Sequence, residues 1–420
     1  TIDVIAEDNI LNKTESGKVQ VITGTSNAEV GQTVTVTLGG KTYTGTVQAD
    51  GSWSVEVAAD ALAELANGNI VVSAAVTDKA GNPGTASQNL LVDTIAPAIT
   101  INTVAGDDVI NMVEHGQAQV ISGKAAGAEV GDRVVVTINN VDYPTTVDAA
   151  GNWSIGMTPE QVAALKDGQV TISVSVTDKA GNVGTADHTV TVNTAAVSLT
   201  VDTVSGDNVI NATEHGQELV ISGNSSALAV NTKVTLTLNG ETYEGQIKAD
   251  GSWSVTVPAD KVAQLNDDTQ YKIEVSAQDD AGNAATAGRD INVDISAPLL
   301  TISPVSTDNI LNAAEQQQTL VIQGTSSAEA GQQVTVKLGN GTYTAQVGED
   351  GRWSVQVAPK DLALLQDDNY VVSASVSDKA GNKTDETSTL RVDTVKPTIT
   401  FDTVAGDDII NALEQQAGVT

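Results

Sequence analysis

Carboxylates recur at fixed places along this chain, and their spacing is where chemistry would begin. Asp8, Asp107, Asp108, Asp207, Asp308, Asp407 and Asp408 stand in five copies of a phrase typified by Gly106-Asp107-Asp108-Val109-Ile110-Asn111-Met112-Val113-Glu114. A glutamate closes each copy: Glu15, Glu114, Glu214, Glu315 and Glu414. Asp78, Asp178, Asp279 and Asp378 open an Asp-x-Ala-Gly-Asn phrase, while Asp93, Asp294 and Asp393 follow a valine in a third phrase, where Asn193 takes the same place in one copy. With Asp3, Asp202 and Asp402, 22 of the 53 acids fall at recurring positions, a pattern too ordered for a merely solvated surface. Carboxylates gathered with few Lys or Arg nearby repel one another. Calcium relieves that repulsion, because it takes about 6–8 oxygen ligands from carboxylates, Asn and backbone carbonyls. The set holds no thiolate and little imidazole, which disfavours softer metals. The candidate ligands are the aspartates of the three phrases, Asn193, and Glu15, Glu114, Glu214 and Glu315.

No contiguous EF-hand loop is present, so any such site is assembled from separated segments. In consecutive repeats these segments meet only if the 78–82 turn and the 106–114 loop both lie at a joint. A purely structural reading stands beside this one. Asp-x-Ala-Gly-Asn is also a tight turn whose Asp and Asn bond their own backbone, and Asn111 with Glu114 is also a cap on one helical turn. Two places depart from the pattern: Val192-Asn193-Thr194-Ala195-Ala196-Val197 has Asn for Asp and no Pro, and Ser303 replaces Asp or Asn. Weaker calcium binding or a different angle is expected at the first, and one oxygen ligand fewer at the second.

Other chemistries find little support. With 20 Lys+Arg against 53 Asp+Glu the net charge is −33, which repels nucleic acid and anionic lipid. The absence of Cys removes disulfides and thiol nucleophiles, and in a chain of this length it points to an extracellular product stabilised another way. No apolar run approaches the roughly 18 residues of a membrane span. His115 and His215 read as solvated loop residues, with His188 the third histidine. No Ser/His/Asp set recurs and no Gly-rich loop resembles a phosphate cradle, so no enzyme is expected.

The elements that position the acids follow from a repeat. Trp53, Trp153, Trp253 and Trp353 are spaced by 100 residues, each preceded ten residues earlier by Tyr43, Tyr143, Tyr243 or Tyr343. Self-similarity at that period means tandem units, placed at 1–97, 98–196, 197–297 and 298–397, with 398–420 opening a fifth. Val134-x-Val136-x-Ile138 and Val170-x-Ile172-x-Val174-x-Val176 alternate with polar residues, the pattern of half-buried strands. Asn239-Gly240 and Asn340-Gly341 signal hairpin turns. Thr158-Pro159-Glu160-Gln161 opens a short capped helix. About seven strands and one helix per unit, with an inward Trp, predict an all-β chain of tandem immunoglobulin-like sandwiches without the disulfide. The register of the Trp and Tyr columns assigns them to the core, away from sugar stacking.

Taken together, Val-Asp-Thr-x-Ala-Pro, Gly-Asp-Asp-x-Ile-Asn-x-x-Glu, Asp-Gly-x-Trp-Ser and Thr-Asp-Lys-Ala-Gly-Asn resemble the bacterial Ig-like repeats of giant type-I-secreted, RTX-related adhesins of Gram-negative bacteria. That group includes the Salmonella giant non-fimbrial adhesin and the biofilm-associated proteins. The resemblance covers essentially the whole chain. It implies calcium at the joints, a secreted cell-surface location, and a monomeric rod whose neighbouring repeats are its own partners. The rod would project a distal domain that binds a host cell or another surface, with a role in attachment and biofilm formation. The alternative is that the repeats themselves bind a glycan or receptor, as lectin-like modules.

Overall fold

The computed structural model describes residues 1–418; residues 419 and 420, the last two of the range 398–420, lie outside the described residues. The chain divides into two compact units, residues 1–197 with 279–283, and residues 198–278 with 284 onward.

In the first unit the strands Ile10–Leu11, Pro83–Val92, Gly68–Thr77, Thr33–Leu38 and Lys41–Thr46 form one sheet in that order, and Gln20–Thr25 pairs with Ser52–Val57 in a second. The plan recurs with Val141–Thr146, Arg133–Ile138, Gly168–Thr177, Val183–Asn193 and Val109–Asn111 in one sheet, and Asn152–Met157, Gln119–Ala126 and Ala98–Ile101 in the other. The recurring Gly-Asp-Asp phrase is the crossover between sheets. The chain leaves Ala98–Ile101, crosses, and lays Val109–Asn111 parallel to Thr191–Asn193 of the opposite sheet. Ala105, Gly106 and Asp108 take positive φ values of 55°, 98° and 64° to make that crossing.

In the second unit Gln246↔Ser254 and Ile247↔Trp253 join the two sheets of one sandwich into a continuous eight-stranded run. The other sandwich pairs Leu320–Thr325 with Arg352–Val357 and carries the five strands Ile310–Asn312, Lys383–Asp393, Asn369–Ser377, Gln333–Leu338 and Gly341–Gln346. This all-β architecture of tandem Ig-like sandwiches is the one the alternation predicts.

Each sandwich closes around its own apolar core, in which the tryptophan is central. Trp53, Trp153, Trp253 and Trp353 are 3%, 2%, 0% and 2% exposed, so none offers a face for stacking a sugar. Tyr43, Tyr143 and Tyr343 are half-buried and pack against these cores from the side. Opposite Trp153 in the ladder stands Gly123. A Cβ there would lie 1.9 Å from the Thr100 carbonyl oxygen and 2.6 Å from the indole, so the ring occupies the space a side chain would need. The helix Pro159–Ala163 forms as read, with Thr158 and Gln161 making a reciprocal capping box. The Asn239-Gly240 turn also forms, both residues at positive φ. The second hairpin is displaced by one residue: Gly339 takes the positive φ of 55°, and Gly341 already opens the returning strand. Glycine fits the left-handed position more cheaply than Asn340 does.

Candidate functional site

The segments that carry the recurring acids meet in a different combination from the one the sequence suggests. The turn that reaches the 11–15 segment is Asp178–Asn182, one repeat further along the chain. Asn12 caps the short helix Lys13–Ser16: its Oδ1 accepts from Thr14 N and Glu15 N, and Glu15 Oε2 accepts from Asn12 N. The cap leaves the N–H of Lys13 without a partner inside the helix, as at any helix start. Asn182 Oδ1 accepts that N–H at 2.8 Å, and its Nδ2 donates to the Asp93 carbonyl oxygen at 2.9 Å. Asp178 orients the amide, since its Oδ1 accepts from Asn182 N at 2.8 Å and its Oδ2 from Asn182 Nδ2 at 3.0 Å. The Asp93 carbonyl is itself placed by the ladder bond from Asp93 N to Leu11 O. Each bridging bond contributes about 1 kcal/mol.

Within the first unit the arrangement recurs around Asn283, which accepts from Met112 N at 2.7 Å and donates to the Asn193 carbonyl at 3.1 Å and to Asp279 Oδ2 at 2.9 Å. In the second unit Asn382 accepts from Ala212 N at 2.8 Å and donates to the Asp294 carbonyl at 2.8 Å and to Asp378 Oδ2 at 3.0 Å. Asn182, Asn283 and Asn382 are 4%, 3% and 4% exposed. Asn82 makes the same turn with Asp78, at 2.7 and 2.9 Å, yet is exposed, since among the described residues no other repeat covers it. These asparagines carry the joint, whereas the sequence marks them only as turn formers. Their recurrence in every copy of the phrase is the signal that could have found them.

The structure thus brings Glu15, Asp93 and Asp178 to one joint, Glu114, Asn193 and Asp279 to a second arrangement of the same kind, and Glu214, Asp294 and Asp378 to a third. The crossover aspartates make hydrogen bonds of their own. Asp8, Asp107, Asp207, Asp308 and Asp407 accept the N–H two residues on. Asp108 and Asp408 accept from Val104 N and Val404 N, and Asp108 also pairs with His188 Nε2 at 2.7 Å, a bond that holds its carboxyl below the usual range. Glu315 Oε2 accepts from Asn312 N, and Asp393 pairs with Arg391 at 2.9 Å. Two histidines differ from expectation. His115 Nε2 bonds the Leu165 carbonyl at 2.9 Å and His215 Nε2 the Leu265 carbonyl at 2.8 Å. Both are half-buried braces between the capped turn and the end of the short helix, where free carbonyls need partners. Gln316 does the same work on Leu362 and Leu365.

Further acids, outside the recurring phrases, line the same ends. Asp167 and Asp367 accept from the N and Oγ1 of Thr194 and Thr394, which lowers their carboxyl pKa. Asp267 likewise holds Ile295 N and Ser296 Oγ. Asn67 takes this place opposite Thr94. Burial first, then the carboxylates of Asp378, Asp267 and Glu329, push Asp294 above the usual carboxylate range. Among the described residues none of these last four acids is in a salt bridge. All the donors are oxygens, which fits calcium chemistry. Among the described residues no three of His, Cys, Asp and Glu lie close enough to hold a metal ion by themselves, so backbone carbonyls and Asn oxygens would complete any cage. No helix among the described residues is long and apolar enough to cross a membrane.

The family model for the bacterial Ig-like domain matches residues 4–94, 120–203 and 302–394. No curated protein matches the sequence. Among solved structures, a chain of a Ca2+-stabilized adhesin that helps an Antarctic bacterium reach out and bind ice is 34% identical, over 93% of this chain and 98% of that one, with a TM-score of 0.37. A structure from a 1.5-MDa bacterial ice-binding adhesin is 33% identical over 72% of this chain and 100% of its own, with a TM-score of 0.37. A tetra-tandem repeat from the extending region of a large adhesion protein is 26% identical over 94% and 99% of the two chains, with a TM-score of 0.39.

Proposed function

Because this chain belongs to the bacterial Ig-like domain family, we propose that it is an extender segment of a large cell-surface adhesin, whose joints are stiffened by calcium. The observation that carries this reading is the crowding at Asp294: a carboxyl pushed up by burial and by Asp378, Asp267 and Glu329, whose Oδ1 receives only long bonds of 3.3 Å from Ser296 N and Asn382 Nδ2. A cation is the missing partner for such a group. The residues that would hold it, with backbone carbonyls and Asn oxygens completing the cage, come from Glu15, Asp93 and Asp178 at one joint, and from Glu214, Asp294 and Asp378 at another. Bound there, calcium would supply positive charge and a cross-link between oxygens of the two sides.

The chain's own residues do the rest. Asn12, Asn111 and Asn211 hold Glu15, Glu114 and Glu214 in place through the caps. Glu15 Oε1 and Asp93 Oδ2 stay outside the hydrogen bonds that fix their side chains. Asn193 supplies the same carbonyl to Asn283 as Asp93 does to Asn182, but with a neutral side chain, so a lower calcium affinity is expected there. In this reading the segment is extracellular, carries no catalytic function and serves attachment and biofilm formation by displaying binding domains that lie elsewhere. Equilibrium dialysis tests it: at least one calcium per joint is expected, and a chain that binds substantially less overturns the mechanism.

A further inference from the structure

We propose that Asn182 and Asn382 are latches that engage their joints without metal, so that calcium, on the reading above, stiffens joints already closed. Three features of the geometry lead there. First, each amide contacts two backbone groups on the preceding repeat, the first N–H of a capped turn and the carbonyl at the end of the edge strand. Both are fixed by their own hydrogen bonds, Asp93 N to Leu11 O and Asp294 N to Ile210 O, so the amide is held at two points of a rigid frame. Second, Asp178 or Asp378 takes the remaining amide hydrogen and the backbone N–H, which leaves the side chain one orientation. Third, the asparagines are buried only where a joint covers them, as the exposed Asn82 shows. A buried amide that loses its partners pays a desolvation penalty, so opening the joint is opposed even when no ion is present. At Asn182 both bridging bonds are neutral amide-to-backbone bonds; Asn382 makes the same two and adds a longer one to Asp294 Oδ1 at 3.3 Å, and none of them needs a counter-ion.

The chain has no Cys, which makes labelling straightforward. Thr46→Cys and Thr146→Cys place spin labels at exposed positions on either side of the first joint. With chelator present, the doubly labelled chain is expected to give one narrow distance distribution, and Asn182→Ala is expected to lose it. Asn82→Ala removes the same turn bonds from a turn whose Asn bonds no other repeat among the described residues, and it is expected to leave the distance unchanged. A chelated parent as broad as the Asn182→Ala variant overturns the latch, as does an Asn182→Ala variant as narrow as the parent. Broadening by Asn82→Ala would also overturn it, by showing that turn integrity and not the bridge sets the distance. Absence of bound calcium in dialysis would remove the calcium reading and leave this result, obtained in chelator, untouched.

Discussion

At the scale of single residues, one position shows how the same geometry can be built with and without a titrating group. Asp167 and Asp367 hold the threonine that follows the edge strand, and Asn67 holds Thr94 in the same way at 2.9 and 3.0 Å. The hydrogen bonds lower the carboxyl pKa of both aspartates. Between the folded and unfolded values the unfolded chain binds more protons, so stability rises with pH there. The contribution is complete above the ordinary carboxyl pKa of about 3.9 and is lost as pH falls through the depressed value. Asp167→Asn with Asp367→Asn is therefore expected to flatten the acid limb of a melting-temperature profile, with little change near neutrality. An acid limb as steep as the parent's would show that these bonds do not differ between folded and unfolded chains. Asp294 has the opposite sign. Its carboxyl is raised by burial and crowding, so Asp294→Asn is expected to raise the melting temperature in chelator. The same change should shrink the calcium-dependent increment of that repeat. An unaltered increment would take Asp294 out of the ligand set.

At the scale of elements, the strand pair that carries the tryptophan is the least tolerant part of each sandwich. Gly123→Ala would set a methyl group 1.9 Å from the Thr100 carbonyl, and that backbone cannot yield without breaking the ladder with Ala98–Ile101. Overpacking of this kind costs about 1–3 kcal/mol, so denaturant unfolding should show the repeat melting early. Wild-type stability would mean that the two sheets can separate locally. The strands, the inward tryptophans and the capped helix are legible in the sequence because each is a local pattern: alternation, a fixed spacing, a Thr-Pro-x-Gln start. The crossover is not, because nothing local says that Gly106-Asp107-Asp108 carries the chain from one sheet to the other. In that crossover Asp107 and Asp108 accept backbone N–H groups of their own loop, whereas Asn111 and Glu114 make the cap whose next N–H, that of Met112, Asn283 meets. The pairing of Asn182 with Lys13, 169 residues apart, is likewise hidden. The acids attract notice by their charge, whereas a neutral amide in a turn phrase looks complete once its turn is made.

At the scale of the whole molecule, the net charge of −33 gives calcium two separate ways to stabilise the chain. A cation can screen diffuse repulsion between repeats, or it can occupy particular sites, and the two respond differently to monovalent salt. Screening acts over a Debye length of about 10 Å at 0.1 M salt and about 3 Å at 1 M, so KCl near the upper value already supplies nearly all of it. Site binding survives that treatment in part, because an ion that binds only the folded joint stabilises by mass action, about 2.7 kcal/mol at a concentration 100 times Kd. Crowding of carboxylates at Asp294, with no Lys or Arg paired to them among the described residues, favours the second mechanism. Millimolar calcium is therefore expected to raise the melting temperature in 1 M KCl as well as in dilute buffer. Magnesium, which keeps its water shell more tightly, is expected to give a smaller rise in the high-salt arm. If the calcium effect disappears in 1 M KCl, the acidity acts only as a diffuse field, and the joints are then held by their asparagine bridges alone.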